Sequence, residues 1–109
     1  MHLTLYWQAQ ARMETSYAVF VHLLDAQNRT WGQRDNLPMK GAHPTTSWLP
    51  GEVVHDEYKI VVDATAPAGK YQIEVGMYDS GTLLRLTAND EQGTPLPSDR
   101  ILLSKVRVE

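Results

Sequence analysis

Residues 17–24, Tyr17-Ala18-Val19-Phe20-Val21-His22-Leu23-Leu24, decide the fold. Strand side chains alternate between two faces, so Tyr17, Val19, Val21 and Leu23 share one side and Ala18, Phe20, His22 and Leu24 the other. Both sides are apolar. The turn residues Asp25-Ala26-Gln27-Asn28 follow, and Thr30 to Asp35 reads as a short returning strand, so the unit is a hairpin. Asn28-Arg29-Thr30 also fits the N-glycosylation pattern, although Asn28 is explained as a turn residue.

The same period of two extends outward from this hairpin. Upstream, Leu3, Leu5 and Trp7 alternate with Thr4, Tyr6 and Gln8. Downstream, Val54, Tyr58, Ile60 and Val62 alternate with His55, Glu57, Lys59 and Val61, and after a Pro67-Ala68-Gly69 break Tyr71, Ile73, Val75 and Met77 alternate with Gln72, Glu74, Gly76 and Tyr78. Asp79-Ser80-Gly81 turns the chain into a short strand over residues 83–86, and a polar loop over 89–99 leads to a last strand over 100–108. Between the first three strands and the rest, residues 36–52 carry Pro38, Pro44 and Pro50 with Gly41 and Gly51, which forbids a helix and predicts a long loop or an edge. No ten-residue segment favours a helix. About seven short strands separated by turn signals predict an all-β, antiparallel two-sheet sandwich.

A chain of 109 residues, 42% hydrophobic, has room for one compact domain. Thirteen acids against ten bases leave a net charge of −3, which argues against a nucleic-acid module held by phosphate contacts. The longest unbroken apolar run, Tyr17 to Val21, is too short for a transmembrane helix or the core of a secretion signal. With no cysteine, disulfide frameworks, thiolate metal sites and cysteine nucleophiles are excluded.

The chain carries no Gly-x-Ser-x-Gly elbow and no glycine-rich phosphate loop. The acids Asp25, Asp63, Asp79 and the Asp90-Glu91 pair sit in turns, where capping explains them without catalysis. Of the four histidines, His55 has the best company, in His55-Asp56-Glu57. Strand geometry brings only His55 and Glu57 to one face, and a third metal ligand would have to arrive from another strand. A solvated polar face is the simpler account, so no metal is expected.

The aromatic residues carry more signal. Sugar recognition on a sandwich sets a flat ring beside polar side chains, and Trp48, near Thr45, Thr46 and Ser47, and Trp31, near Asn28, Arg29 and Gln33, lie outside the best core stripes. A loop tryptophan more often folds back to plug the end of a sandwich. The alternative is a glycan or peptide platform centred on Trp48, Trp31 and Tyr78. A second expectation concerns Phe20, His22, Leu24 and Tyr78, which lie opposite the core stripes on two strands expected to be neighbours. Left exposed, they form an apolar patch for another domain or subunit, unless inward and outward are reversed.

The string Leu3-Thr4-Leu5-Tyr6-Trp7 resembles the second strand of a fibronectin type III or related immunoglobulin-like domain, where an inward tryptophan closes the core. Ala66-Pro67-Ala68-Gly69-Lys70-Tyr71, followed by Ile73 and Val75, resembles the corner before the sixth strand, where a tyrosine returns its hydroxyl to backbone upstream. The likeness makes residues 2–8 strand B and residues 70–78 strand F, with strand A missing. Over nearly the whole chain, the order of Val19-Phe20-Val21-His22-Leu23-Leu24-Asp25, Trp48-Leu49-Pro50-Gly51-Glu52-Val53-Val54 and Pro67-Ala68-Gly69-Lys70-Tyr71 with Val75-Gly76-Met77-Tyr78-Asp79 is similar to a bacterial membrane module. That module is the extracytoplasmic β-sandwich at the C-terminal end of multi-spanning membrane glycosyltransferases of the dolichyl-phosphate-mannose transferase type. In that family the catalytic acids lie in the membrane-embedded part, so the resemblance implies a non-catalytic accessory domain without a cofactor. Residues 1–109 are then one sandwich domain of a longer protein, extracytoplasmic and tethered to the membrane. Its expected partners are the other domains of that protein, a glycan and, through the edge left open by the missing strand, a second copy. The alternative is a structural spacer or oligomerisation sandwich that binds no ligand.

Overall fold

The computed structural model describes residues 1–108, with side chains as far as Leu103. Six strands follow in order: β1 (His2–Gln8), β2 (Tyr17–Leu24), β3 (Thr30–Asn36), β4 (Val53–Lys59), β5 (Gly69–Asp79) and β6 (Ile101–Val108). They form two antiparallel sheets, β1-β4 and β3-β2-β5-β6, which pack as a sandwich. Helical structure is confined to 3-10 turns at Pro38–Gly41, Thr45–Ser47 and Pro97–Asp99.

The period-two stripes meet between the sheets. Val19, Val21 and Leu23 of β2 and Tyr71, Ile73, Val75 and Met77 of β5 face Val54 and Tyr58 of β4, and Ile60 just beyond it. Each such side chain contributes roughly 2 kcal/mol of gross burial, and that common apolar layer is what holds the two sheets face to face. Leu3, Leu5 and Trp7 pack on this core from β1. The side of the sandwich closes where the chain leaving β4 passes β3: the Asp63 N–H donates to the Trp31 carbonyl at 2.7 Å. A Cβ at Gly32 would lie 3.0 Å from the Ile60 side chain and 3.1 Å from the Val61 carbonyl, so glycine permits that close passage.

The corner before β5 has the expected form, since the Tyr71 hydroxyl donates to the Pro67 carbonyl at 2.5 Å. The β2–β3 turn is held by Asp25, whose carboxylate accepts from the Gln27 and Arg29 N–H groups at 2.8 and 2.9 Å, with Asn28 in the left-handed region at φ 60°. One expected strand is absent. Residues 83–86 make a single bridge, Arg85 opposite Tyr78, because Leu83 takes φ 65° and breaks the extended run. Among the described residues the strands number six rather than seven.

β2 and β5 are buried on both faces over their middle. On the side away from β1 and β4, Phe20 lies directly across from Gly76. An added Cβ at Gly76 would stand 2.3 and 2.5 Å from atoms of the Phe20 ring and 3.2 Å from the Asp99 carbonyl. Gly76→Ala therefore displaces a ring that has no room to move and is expected to destabilise the fold by about 1–3 kcal/mol, read as a lower urea midpoint at unchanged m-value. An unchanged midpoint would show that the ring is not confined there.

Candidate functional site

The expected docking patch is not a free surface. Phe20 is 1% exposed and Leu24 is also buried, while His22 and Tyr78 are half-buried. The covering comes from the chain itself. After Asp79 the β5–β6 connection turns back over the outer face of the four-stranded sheet, and the Arg85 guanidinium sits 4.3 Å from the centroid of the Phe20 ring. Arg85 also donates to the Ser98 carbonyl at 2.9 Å, which ties the two ends of the connection together. The expectation that Phe20, His22 and Tyr78 present an interface is thus corrected. The inward and outward faces are those the alternation predicts, but the outer face packs against the long connection, which period two does not encode.

Beneath that cover lies a charged cluster. His22 Nδ1 is 2.8 Å from Glu74 Oε2 and its Nε2 is 3.2 Å from Asp35 Oδ1. Each ring nitrogen of His22 thus faces one carboxylate. Glu74, 5% exposed, has Arg85 at 3.4 Å and Arg100 at 3.3 Å on its other oxygen. Burial opposes its ionisation, but His22, Arg85 and Arg100 outweigh burial and hold the carboxyl below the ordinary glutamate value. Tyr78 stacks on Phe20 with centroids 6.4 Å apart, and burial together with the Asp35 carboxylate pushes its phenol up. The sequence signal for Glu74 is its place on the outer face, directly across from His22; Asp35, Arg85 and Arg100 become visible only with the fold.

Trp48, in the long loop, and Trp31, at the start of β3, both have structural partners. Trp48 is 1% exposed and its indole N–H donates to the His43 carbonyl at 2.9 Å, so it plugs the sandwich and offers no platform. Buried Thr45 fixes the same loop by donating to the Thr15 carbonyl at 2.8 Å and accepting from the Tyr17 N–H at 3.0 Å. Trp31 is half-buried against the core and donates to Asp25 Oδ2 at 2.9 Å. That indole, followed by the turn N–H groups and Arg29, holds the Asp25 carboxyl down at about 2. Trp48 thus takes the plug reading and not the platform alternative, and Trp31 takes part in the hairpin turn.

His55, Asp56 and Glu57 part company. His55 and Glu57 are exposed and 3.3 Å apart, whereas Asp56 points into the core and is 1% exposed. Among the described residues, no group of three or more His, Cys, Asp or Glu side chains has metal-binding geometry. Asp56 Oδ2 accepts from the Tyr58 hydroxyl at 2.5 Å and the Trp7 indole at 3.3 Å, and Oδ1 accepts from the Met39 N–H at 2.9 Å. Burial and the Asp56 carboxylate raise the Tyr58 phenol far above its ordinary value. The period of two places Asp56 on the Val54–Tyr58 stripe, the signal by which this buried acid is legible.

Three features remain open to solvent. A cleft of about 750 Å³ is lined from β1, β3, β4 and the Pro38–Gly41 turn. Tyr6, 70% exposed, stacks on His55 with centroids 5.1 Å apart and planes 13° from parallel. Leu83, Leu84, Leu86, Ile101 and Leu102 stand exposed along the connection and the start of β6. No protein-family model, curated protein or solved structure matches the chain. Among the described residues no helix is long and apolar enough to cross a membrane.

The Glu74 cluster sets an acid dependence. Its folded-state pKa lies below the unfolded one, so its contribution is complete above the ordinary glutamate range, about pH 4, and is lost as pH falls through the depressed folded value. Glu74→Gln is expected to lower stability at pH 7 on the order of 1–3 kcal/mol and to flatten the decline in urea midpoint between pH 6 and pH 3. A variant curve parallel to that of the native chain would mean that Glu74 does not couple to the fold.

Proposed function

We propose that this chain is a non-catalytic, extracytoplasmic accessory sandwich that contacts glycan or partner protein for an attached membrane glycosyltransferase. The observation that carries the reading is the exposed strip Leu83, Leu84, Leu86, Ile101 and Leu102. Leu83, Leu84 and Leu86 belong to the connection whose Arg85 covers Phe20, and Ile101 and Leu102 begin β6. Large apolar side chains left exposed on two successive segments are a common feature of surfaces that meet another domain.

The sheet orders support the family resemblance. If β1 is strand B, then β1-β4 corresponds to B-E and β3-β2-β5-β6 to C′-C-F-G, the arrangement of an immunoglobulin-type sandwich. The Tyr71–Pro67 corner falls where that likeness puts it. The two buried acids favour a passive role: Asp56 is saturated by three donors, and Glu74 is held ionised by its cations, the opposite of the raised pKa that suits a general acid. On the glycan side, the exposed Tyr6 ring replaces Trp48 as the flat surface available to a sugar.

A second reading, association of two copies, has one observation in its favour: among the described residues β1 pairs only with β4, so its other edge is open. A photoreactive residue in place of Leu84 in the full-length polypeptide separates the two. Cross-links to the membrane-embedded part are the expected result. Cross-links between copies alone would favour the oligomerisation sandwich, and an absence of both would overturn the docking role of the strip.

A further inference from the structure

The cleft beside β4 has a charge pattern at odds with the chain as a whole. Arg34, Lys40 and Lys59 all line it, on a protein whose net charge is −3. Among the described residues none of the three pairs with a carboxylate. Of the acids in the same wall, Asp56 has both oxygens taken up by Met39, Trp7 and Tyr58, and Glu57, largely exposed, has His55 at 3.3 Å. Three cations against two acids leave the wall with a positive excess.

The backbone that brings Lys40 to the cleft is strained. Met39 and Lys40 take φ 52° and 56° in succession, a left-handed pair without glycine that costs on the order of 1–2 kcal/mol per residue. Asp56 stabilises that turn through the Met39 N–H, so a buried acid in the core fixes a lysine at the rim. Strain held in place by a buried polar group is a common property of binding sites. Thr4 and Asn36 complete the lining, and among the described residues neither side chain makes a hydrogen bond within the protein. Both are available to hydroxyl groups, and the volume of about 750 Å³ lies in the range of small-molecule sites.

We propose that this cleft binds an anionic saccharide, a sugar bearing a carboxylate or a phosphate. The guanidinium of Arg34 and the ammonium groups of Lys40 and Lys59 take the anion, while Thr4 and Asn36 take ring hydroxyls. The inference rests on the glycan half of the reading above and is independent of the leucine strip.

The test is titration of the ¹⁵N-labelled chain with glucuronate, glucose 6-phosphate, glucose and inorganic phosphate, each at low salt. Shifts at Arg34, Asn36, Lys40 and Lys59 are expected with at least one anionic sugar, at an affinity about tenfold or more above that for glucose. Which of the two anionic sugars binds more tightly tells carboxylate from phosphate. Arg34→Gln with Lys40→Gln, both on exposed side chains, should weaken that binding about tenfold or more without changing the thermal midpoint, and added salt should weaken it further. Equal binding of glucose would overturn the anion site. Inorganic phosphate binding as tightly as glucose 6-phosphate, with no shift by glucuronate, would overturn the saccharide. Silence with all four would overturn the proposal, while cross-linking at position 84 would still judge the accessory reading by itself.

Discussion

Everything outside the core depends on one constraint: the β2–β5 pair is apolar on both faces, and the second sheet covers only one of them. A Phe20 left in water would forfeit roughly 2 kcal/mol, and with Leu24 beside it the bare face would be an aggregation surface. The chain meets this by running its β5–β6 connection, longer than the usual limit of about 15 residues, back across that face. Apolar contact alone would hold such a loop weakly, because most of its side chains face solvent. Arg85 supplies a directed contact, packing its guanidinium on the Phe20 ring and reaching Glu74, and Arg100 closes on the same carboxylate.

That arrangement marks where the sequence was legible. The alternation in residues 17–24 and 71–77 assigned the core stripes correctly, since burying a strand face demands period two wherever the strand runs. The corner at Pro67–Tyr71 was legible for a similar local reason, because the hydroxyl reaches a carbonyl only four residues away. Phe20, His22 and Tyr78 look like free surface in the sequence because their cover is remote along the chain and has no periodicity. Nothing in a polar stretch such as 89–99 signals that it lies over a sheet. Residues 83–86 misled in the opposite direction: their composition suits a strand, but the positive φ at Leu83 follows from the turn geometry after Asp79, where the Leu83 N–H donates to the Asp79 carbonyl at 2.7 Å.

The tryptophans illustrate a different limit. Trp48 stands in a loop rich in proline and hydroxyl residues, a context shared by plugs and platforms, and only its burial separates them. The balance of energies favours the plug, since a large indole removed from water outweighs the cost of ordering a loop already stiffened by Pro44 and Pro50. Asp56 is legible in principle: its sequence neighbours His55 and Glu57 suggest a polar face, whereas the period of two sets it between Val54 and Tyr58 on the buried stripe, where an unpartnered carboxylate would be intolerable.

The two buried acids do the same mechanical task by different physics, and this bears on which surfaces stay fixed. Asp56 is satisfied by a phenol, an indole and a backbone N–H, all neutral, so its hold on the Met39–Lys40 turn is little weakened by salt. Glu74 is held by a histidine and two arginines, of which Arg85 is the more exposed, so its hold on the connection is screened by salt and released by acid. The turn that carries Lys40 to the cleft is therefore held by contacts that salt screens little, and the connection that carries Leu83, Leu84 and Leu86 by contacts that salt and acid loosen. A turn fixed before binding limits the entropy a small ligand loses, whereas local rearrangement on contact is common where proteins meet.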